Sequence, residues 1–158
     1  MYRTLIIHPE KCNNCGDCET ACIESRTTLT AAGLSCIRIL RTSTDEEFFF
    51  PIACMQCEDP PCMAVCPKEA VFIEDETDRV MIDRLRCVGC AMCVAACPFG
   101  AMRLDRLKAK AYKCDLCTND PECVRSCEQG ALEFQSIEKL KMPSMISAAG
   151  RLARLVKP

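Results

Sequence analysis

The sequence predicts an α+β fold in which short strands and short helices surround bound metal, and three observations predict it. Seventeen of the 158 residues are cysteine, and sixteen of those fall in four compact runs. The runs recur in the order A-B-A-B, so the chain is an internal repeat. With no Trp, two Tyr and six Phe, there is little aromatic mass for a conventional apolar core. Bound metal is therefore expected at the centre. The metal-free chain is expected to fold poorly, because ligation then supplies folding energy. The length fits one domain or two small ones.

Taking the elements in order, Thr4–Ile7 reads as a short strand. The first A run follows as Cys12, Cys15, Cys18 and Cys22, spaced C-x2-C-x2-C-x3-C. Asn13, Asn14 and Gly16 suit its turning loop, and a helix carrying Cys22 is expected over Asp17–Ser25. The remaining cysteine, Cys36, lies in the β-like stretch SCIRIL; the apolar edge EEFFFP comes next and is expected to stop at Pro51. The first B run is Cys54, Cys57, Cys62 and Cys66, spaced C-x2-C-x4-C-x3-C-P. VFIEDETDRVMID after it reads as a hairpin, with alternating apolar positions on either side of a polar turn. Run A returns 75 residues on as Cys87, Cys90, Cys93 and Cys97. Run B returns 60 residues on as Cys114, Cys117, Cys123 and Cys127, with Asp120-Pro121 kept and the loop one residue longer.

The spacing C-x2-C-x2-C-x3-C-P, as at Cys87–Pro98, is the bacterial run for a [4Fe–4S] cluster. Three thiolates on a tight loop wrap one corner of a cubane, and Gly89 supplies backbone freedom where the loop curls close to sulfide. The fourth lies a helical turn further on. Where two such clusters share a chain, that fourth cysteine ligates the other cluster, so one run implies a second.

Competing chemistries fit less well. Zinc sites want four nearby ligands per ion with a long spacer, whereas these runs are compact. The CxxxCxxC triplet of radical chemistry is absent from the sequence. Residues 1–10 are too short and polar for a signal peptide, so reduced thiols and a cytoplasmic setting are expected. No apolar run approaches the ~18 residues of a membrane span. Residues 1–102 carry 9 Lys/Arg against 15 Asp/Glu, while residues 103–158 carry 11 against 7. Without an aromatic stacking platform the basic third reads as a solvated or partner-facing surface, and no nucleic-acid role is expected. No nucleophile–base pair, Gly-rich phosphate loop or flavin fingerprint appears, so no catalytic residue is expected.

Cys36, beside Ile37 and Ile39, reads as core rather than as a reactive thiol. His8, the only histidine, reads as a surface or capping residue. Met55, Met63, Met92 and Met102 lie beside cysteines and read as packing that dries the site.

At CMQCEDPPCMAVCP the sequence resembles the four-cluster, ferredoxin-like iron–sulfur subunits that accompany molybdopterin oxidoreductases, formate hydrogenlyase and CO dehydrogenase. The likeness covers roughly residues 3–135. Its short second B loop is similar to the small subunits of formate dehydrogenase, hydrogenase or CO dehydrogenase systems rather than to the longer DMSO-reductase type. Ile23 and Glu128 depart from it, standing where many relatives have Pro, and the charge of Glu128 should lower the potential of a nearby cluster.

The resemblance implies crossed ligand sets. Cys12, Cys15 and Cys18 pair with Cys127, and Cys114, Cys117 and Cys123 with Cys22. Cys54, Cys57 and Cys62 pair with Cys97, and Cys87, Cys90 and Cys93 with Cys66. It further implies tandem dicluster modules with pseudo-twofold symmetry: an outer one from residues 1–30 plus 107–140 and an inner one from residues 48–106, joined by an insertion at 31–47 and followed by a basic tail at 141–158. Some relatives replace the second cysteine of the later A run and hold a three-iron cluster; Cys90 fills that place here, so four [4Fe–4S] clusters are expected. The implied function is electron transfer between a catalytic oxidoreductase subunit and a second redox protein or subunit, in a hetero-oligomer. A free-standing polyferredoxin and a zinc-stabilised interaction module are the alternatives. From Ser144 onward the tail reads either as an amphipathic helix that docks onto a partner or as plain disorder, both favoured over a membrane-surface role because its apolar set is modest.

Overall fold

The structure is a computed structural model and describes residues 3–26, 33–41 and 48–136. The C-terminal tail and residues 31–32 and 42–47 of the connecting insertion lie outside the described residues.

The first strand, β1 (Arg3–Ile7), pairs antiparallel with the last, β8 (Leu132–Ser136), in a register that sets Leu5 opposite Phe134. The chain ends of the repeat are thereby tied together. Arg3 reinforces the pairing by lying 4.2 Å from the Phe134 ring and donating to its carbonyl. Between these strands run α1 (Asp17–Ser25), β2 (Arg38–Arg41), β3 (Phe49–Ile52), α2 (Pro61–Ala64), β4 (Val71–Glu74), β5 (Arg79–Ile82), α3 (Met92–Ala96), β6 (Arg103–Asp105), β7 (Lys110–Tyr112) and α4 (Glu122–Arg125). Each of the pairs β2–β3, β4–β5 and β6–β7 forms its own two-stranded antiparallel ribbon. Helix α1 packs on α4, and α2 on α3.

Such small elements cannot bury enough apolar surface by themselves, and the cysteines make up the difference. One core joins Leu5, Ile37, Tyr112, Leu116 and Leu132 with Cys18, Cys22, Cys36, Cys114 and Cys123. The other joins Val71, Val80, Met102 and Ala111 with Cys87 and Cys93. Met102 is buried as expected, Met63 packs against the second core and Met55, though partly exposed, lines the cavity of Cys54, Cys57, Cys62 and Cys97, whereas Met92 is exposed.

One expectation is corrected. Pro51 does not stop the strand: it lies inside β3, opposite Ile39. In a two-stranded ribbon each strand leaves one edge without ladder bonds, so a residue lacking N–H is accommodated.

Candidate metal centres

The repeat in sequence is a repeat in backbone conformation. Two residues after the first cysteine, each run turns through the left-handed region: Asn14, Gln56, Gly89 and Leu116, with φ of 61°, 48°, 71° and 62°. The A runs do so again just before their helices, at Gly16 (φ 87°) and Ala91 (φ 62°). Three of these six residues are neither Gly nor Asn, so loop curvature overrides local preference by a cost of order 1–3 kcal/mol each.

That curvature gathers thiols from separate runs. Cys12, Cys15, Cys18 and Cys127 line one cavity, together with Ile39, Ala131 and Leu132. Cys54, Cys57, Cys62 and Cys97 line a second, with Val80, Met102 and Lys113. Cys66, Cys87, Cys90 and Cys93 line a third, with Val71, Ile82 and Ala111. Mutual electrostatic influence marks a fourth group: the Cys123 thiol is pushed up first by burial and then by Cys114, Cys22 and Cys117. The same pattern holds elsewhere. Burial, Glu19, Cys127, Cys15 and Cys12 push Cys18 up to about 12. Burial pushes Cys62 up to about 11, with Cys54, Cys97 and Cys57 adding to it. Burial raises Cys93, followed by Cys87, Cys90 and Cys66.

Backbone amides point at several of these sulfurs, as a thiolate ligand requires. The N–H of Ala70 donates to Cys66 Sγ at 3.2 Å, that of Ala111 to Cys87 Sγ at 3.3 Å, that of Cys36 to Cys22 Sγ at 3.3 Å and that of Leu116 to Cys114 Sγ at 3.4 Å. Cys66 is buried enough to raise its pKa, yet the N–H groups of Lys68, Ala70, Val71 and Glu69 outweigh this and bring it below its ordinary value. The donors are all sulfur, the walls are apolar, and among the described residues no three His, Cys, Asp or Glu side chains converge as closely as one metal ion needs. Four thiolates spread around a cavity fit a multi-iron group better than a tetrahedral zinc with Zn–S of ~2.3 Å.

A set of buried polar groups escaped the sequence reading. Lys113, only 5 % exposed, lines the Cys54–Cys97 cavity and donates from Nζ to the Cys114 carbonyl at 2.7 Å. Gln56 donates to that same carbonyl at 2.8 Å and accepts from the Val80 N–H at 2.9 Å. Arg26 pairs with Asp115 at 2.5 Å, and Arg79 donates to the Asp115 carbonyl at 3.0 Å while pairing with Glu74. Residues 113–115 are thus clamped from three other places in the sequence, Arg26, Gln56 and Arg79, at the seam between the Cys114 group and the Cys54 group. The only cue in the sequence is that Gln56 stands where the later B run has Leu116. His8 lies apart from the cysteines, 3.5 Å from Glu10 and 3.4 Å from Glu133, and bonds Ala131 through its backbone N–H at 2.8 Å.

A short-element α+β chain whose cores are cysteine, with all-thiol cavities and amides aimed at sulfur, is an iron–sulfur protein of ferredoxin type. The chain belongs to the 4Fe-4S dicluster domain family, whose match spans residues 46–137 and takes in twelve of the sixteen run cysteines. It is 39 % identical over 150 residues to YsaA of Escherichia coli (strain K12), named provisionally as an electron transport protein, covering 89 % of this chain and 94 % of that one. It is 35 % identical over 133 residues to the NADH-dependent phenylglyoxylate dehydrogenase subunit beta of Aromatoleum evansii, covering 84 % of this chain but 30 % of that protein. It is 32 % identical over 125 residues to the polyferredoxin-like subunit of an aliphatic sulfonate oxidoreductase of Pyrococcus furiosus, covering 79 % and 71 %. No helix among the described residues is long and apolar enough to cross a membrane.

Proposed function

We propose that the chain carries electrons through four [4Fe–4S] clusters between the catalytic subunit of an oxidoreductase and a second redox subunit or carrier. The observation that supports this reading is that three cavities are each lined by four run cysteines, the fourth drawn from a different run. In this proposal Cys12, Cys15, Cys18 and Cys127 hold one cluster and Cys22, Cys114, Cys117 and Cys123 another. Cys54, Cys57, Cys62 and Cys97 hold the third, and Cys66, Cys87, Cys90 and Cys93 the fourth. The tie of β1 to β8 and of α1 to α4 supports an outer module built from both chain ends around an inner one.

When bound, such a cluster accepts and releases single electrons. The protein's part is to supply thiolates, direct N–H groups at them, exclude water with Val71, Val80, Met102 and Leu132, and set the field with the buried Lys113. With every ligand drawn from the chain, substrate chemistry falls to a partner. Two of the relatives above are named as subunits of a phenylglyoxylate dehydrogenase and an aliphatic sulfonate oxidoreductase, so the proposed catalytic partner widens from the formate dehydrogenase, hydrogenase or CO dehydrogenase types to oxidoreductases generally. A free-standing polyferredoxin is the second reading, favoured by the likeness to YsaA over nearly its whole length.

Anaerobically purified protein is expected to hold about sixteen iron and about sixteen sulfide per chain. A value near eight, with free thiols to match, sinks the four-cluster reading, and zinc in place of iron sinks both readings.

A further inference from the structure

Two of the sixteen run cysteines are exposed, Cys15 and Cys90, and their surroundings differ. Around Cys15 the charges are mixed: Asp17 and Glu19 lie in the first turn of α1, Glu10 and Lys11 are exposed just upstream, and Arg41 donates to the Asn14 side chain at 3.2 Å. Cys90 lies between two turns of nearly identical sequence, Asp83-Arg84-Leu85-Arg86 and Asp105-Arg106-Leu107-Lys108.

In each turn the aspartate is consumed internally. Asp83 Oδ1 accepts from the N–H groups of Leu85 at 2.8 Å and Arg86 at 3.3 Å, and Asp105 Oδ1 accepts from those of Leu107 and Lys108, both at 3.0 Å. Asp105 is fully buried. Asp83 also lies 3.4 Å from Arg86, whose guanidinium is nonetheless exposed. The turns thereby push their apolar and basic residues outward: Leu85 is 95 % exposed and Leu107 88 %, the two most exposed large apolar side chains among the described residues. Both turns adjoin the Cys87–Cys90 loop. The Cys87 N–H donates to the Asp83 carbonyl at 3.0 Å, and Lys110 Nζ donates to the Cys87 carbonyl at 2.6 Å. Gly89 lies so close beneath the second turn that a Cβ there would meet the Ala109 carbonyl oxygen at 2.3 Å. Leu85, Val88 and Leu107 with Arg86, Arg106 and Lys108 are therefore exposed on and beside the turns that adjoin the loop carrying the exposed Cys90.

Resting on the iron–sulfur reading above, we propose that this face is the docking surface for a small acidic redox protein, which exchanges electrons with the group held by Cys66, Cys87, Cys90 and Cys93. Apolar centres with a charged rim are the make-up of transient interfaces, and the rim's sign selects the partner. One electron leaves the reduced carrier, which is oxidised by one, and enters the iron–sulfur group, which is reduced by one. No bond forms and no proton moves. Residues 137–158, with five Lys/Arg against one Glu, have the wrong sign to cover the patch. An anionic membrane matches in charge but would insulate the exposed thiol that the patch adjoins.

The test uses the full-length, iron-loaded protein under argon, with a reduced acidic two-cluster ferredoxin as probe and stopped-flow detection. The wild-type bimolecular rate is expected to fall steeply with salt. Combining Arg86→Glu, Arg106→Glu and Lys108→Glu is expected to cut the low-salt rate roughly tenfold or more and flatten its salt dependence. Leu85→Ser with Leu107→Ser is expected to slow transfer at all salt concentrations. Asp17→Asn, near Cys15, should leave the rate unchanged. Iron content and photoreduction by deazaflavin should stay at wild-type values in every variant. Unchanged probe kinetics in the fully loaded charge variant overturn the docking surface while leaving the electron-carrier reading intact; a wild-type chain without iron overturns both. Salt-sensitive self-association, or binding to phosphatidylserine vesicles, that the charge variant abolishes while probe kinetics persist assigns the face to a second copy or to lipid and overturns the acidic partner.

Discussion

After its fourth cysteine, each of three runs turns back through a left-handed residue, Glu69, Gly100 or Gly130, whereas the first run continues as helix through Ser25. In the three, the N–H of that residue closes on the cysteine carbonyl at 3.1–3.2 Å. The sequence difference is small. Cys66 is followed by Pro67, Cys97 by Pro98 with Gly100, and Cys127 by Glu128 with Gly130. Either a proline one residue on, which cannot continue a helix, or a glycine three residues on, which takes positive φ without strain, suffices to make the turn. Cys22 has neither, only Ile23 and Ser25. Helix α1 therefore reaches nine residues against four or five for the others, and its end delivers Arg26 to Asp115. A missing breaker thus becomes a strut between the first run and the last.

The largest test of this comparison exchanges the fourth cysteines. Cys22→Ser is expected to reduce iron from about sixteen to about twelve per chain and to damage the cluster assigned to Cys114, Cys117 and Cys123, sparing the one assigned to Cys12, Cys15 and Cys18. Cys97→Ser should do the same to the cluster assigned to Cys54, Cys57 and Cys62. Electron paramagnetic resonance of each variant, resolved by redox poise, checks the assignment. If Cys22→Ser instead removes the signal of its own run, the crossed sets are wrong and the four runs act alone.

A smaller effect tests the strut directly. Ile23→Pro gives the first run the breaker found at Pro67 and Pro98. It removes the helical bond to Glu19, crowds the preceding turn and withdraws Arg26 from Asp115, for a cost of about 3 kcal/mol or more. The reverse change, Pro98→Ile, is expected to cost under about 1 kcal/mol, because Gly100 still makes the turn, as Gly130 does without proline. The denaturant midpoint for loss of visible cluster absorbance under argon reads both. Equal midpoints for the two variants would show that Arg26 does not act as a strut between the first run and the last.

What was legible in the sequence was local. The Asp17–Ser25 helix, the Arg3–Ile7 strand and the Val71–Ile82 hairpin follow from an acidic first turn, a β-rich run and a polar turn between alternating apolar residues. The candidate ligands were legible because the chemistry fixes their spacing. The β6–β7 ribbon was not read, since strands of three residues carry no periodicity; the cue was Asp105, whose side chain organises the turn just as Asp83 does. Pro51 misled because a proline reads as a stop, although a ribbon edge tolerates it. Gln56, Arg26 and Arg79 were invisible as a set, because burial of these polar side chains depends on partners 24 to 89 residues away in the chain.

The smallest expected effect concerns Cys36, which also separates the first run from the others. It is buried beside Cys22, to which it gives both its backbone N–H and a thiol hydrogen bond. In the metal-free chain that thiol contact is the main reason Cys22 is held down to about 5, while the Cys36 thiol is itself pushed up and stays protonated as the donor. The sign follows: a depressed thiol pKa contributes stability that is fully present above the ordinary value near 9 and is lost as pH falls toward 5. Cys36→Ala removes the thiol donor but keeps the backbone one, so Cys22 should move part of the way back up. Iron loading of the variant should then lag wild type at pH near 7 and catch up near pH 9, because only the thiolate ligates. In the loaded protein, one lost hydrogen bond to a ligand sulfur, worth about 1 kcal/mol, should lower the midpoint of the cluster assigned to Cys22 by about 40 mV. Midpoints for clusters assigned to the other three groups should not move. A shift shared by all four, or none at full iron content, would mean that Cys36 only fills space in the outer core.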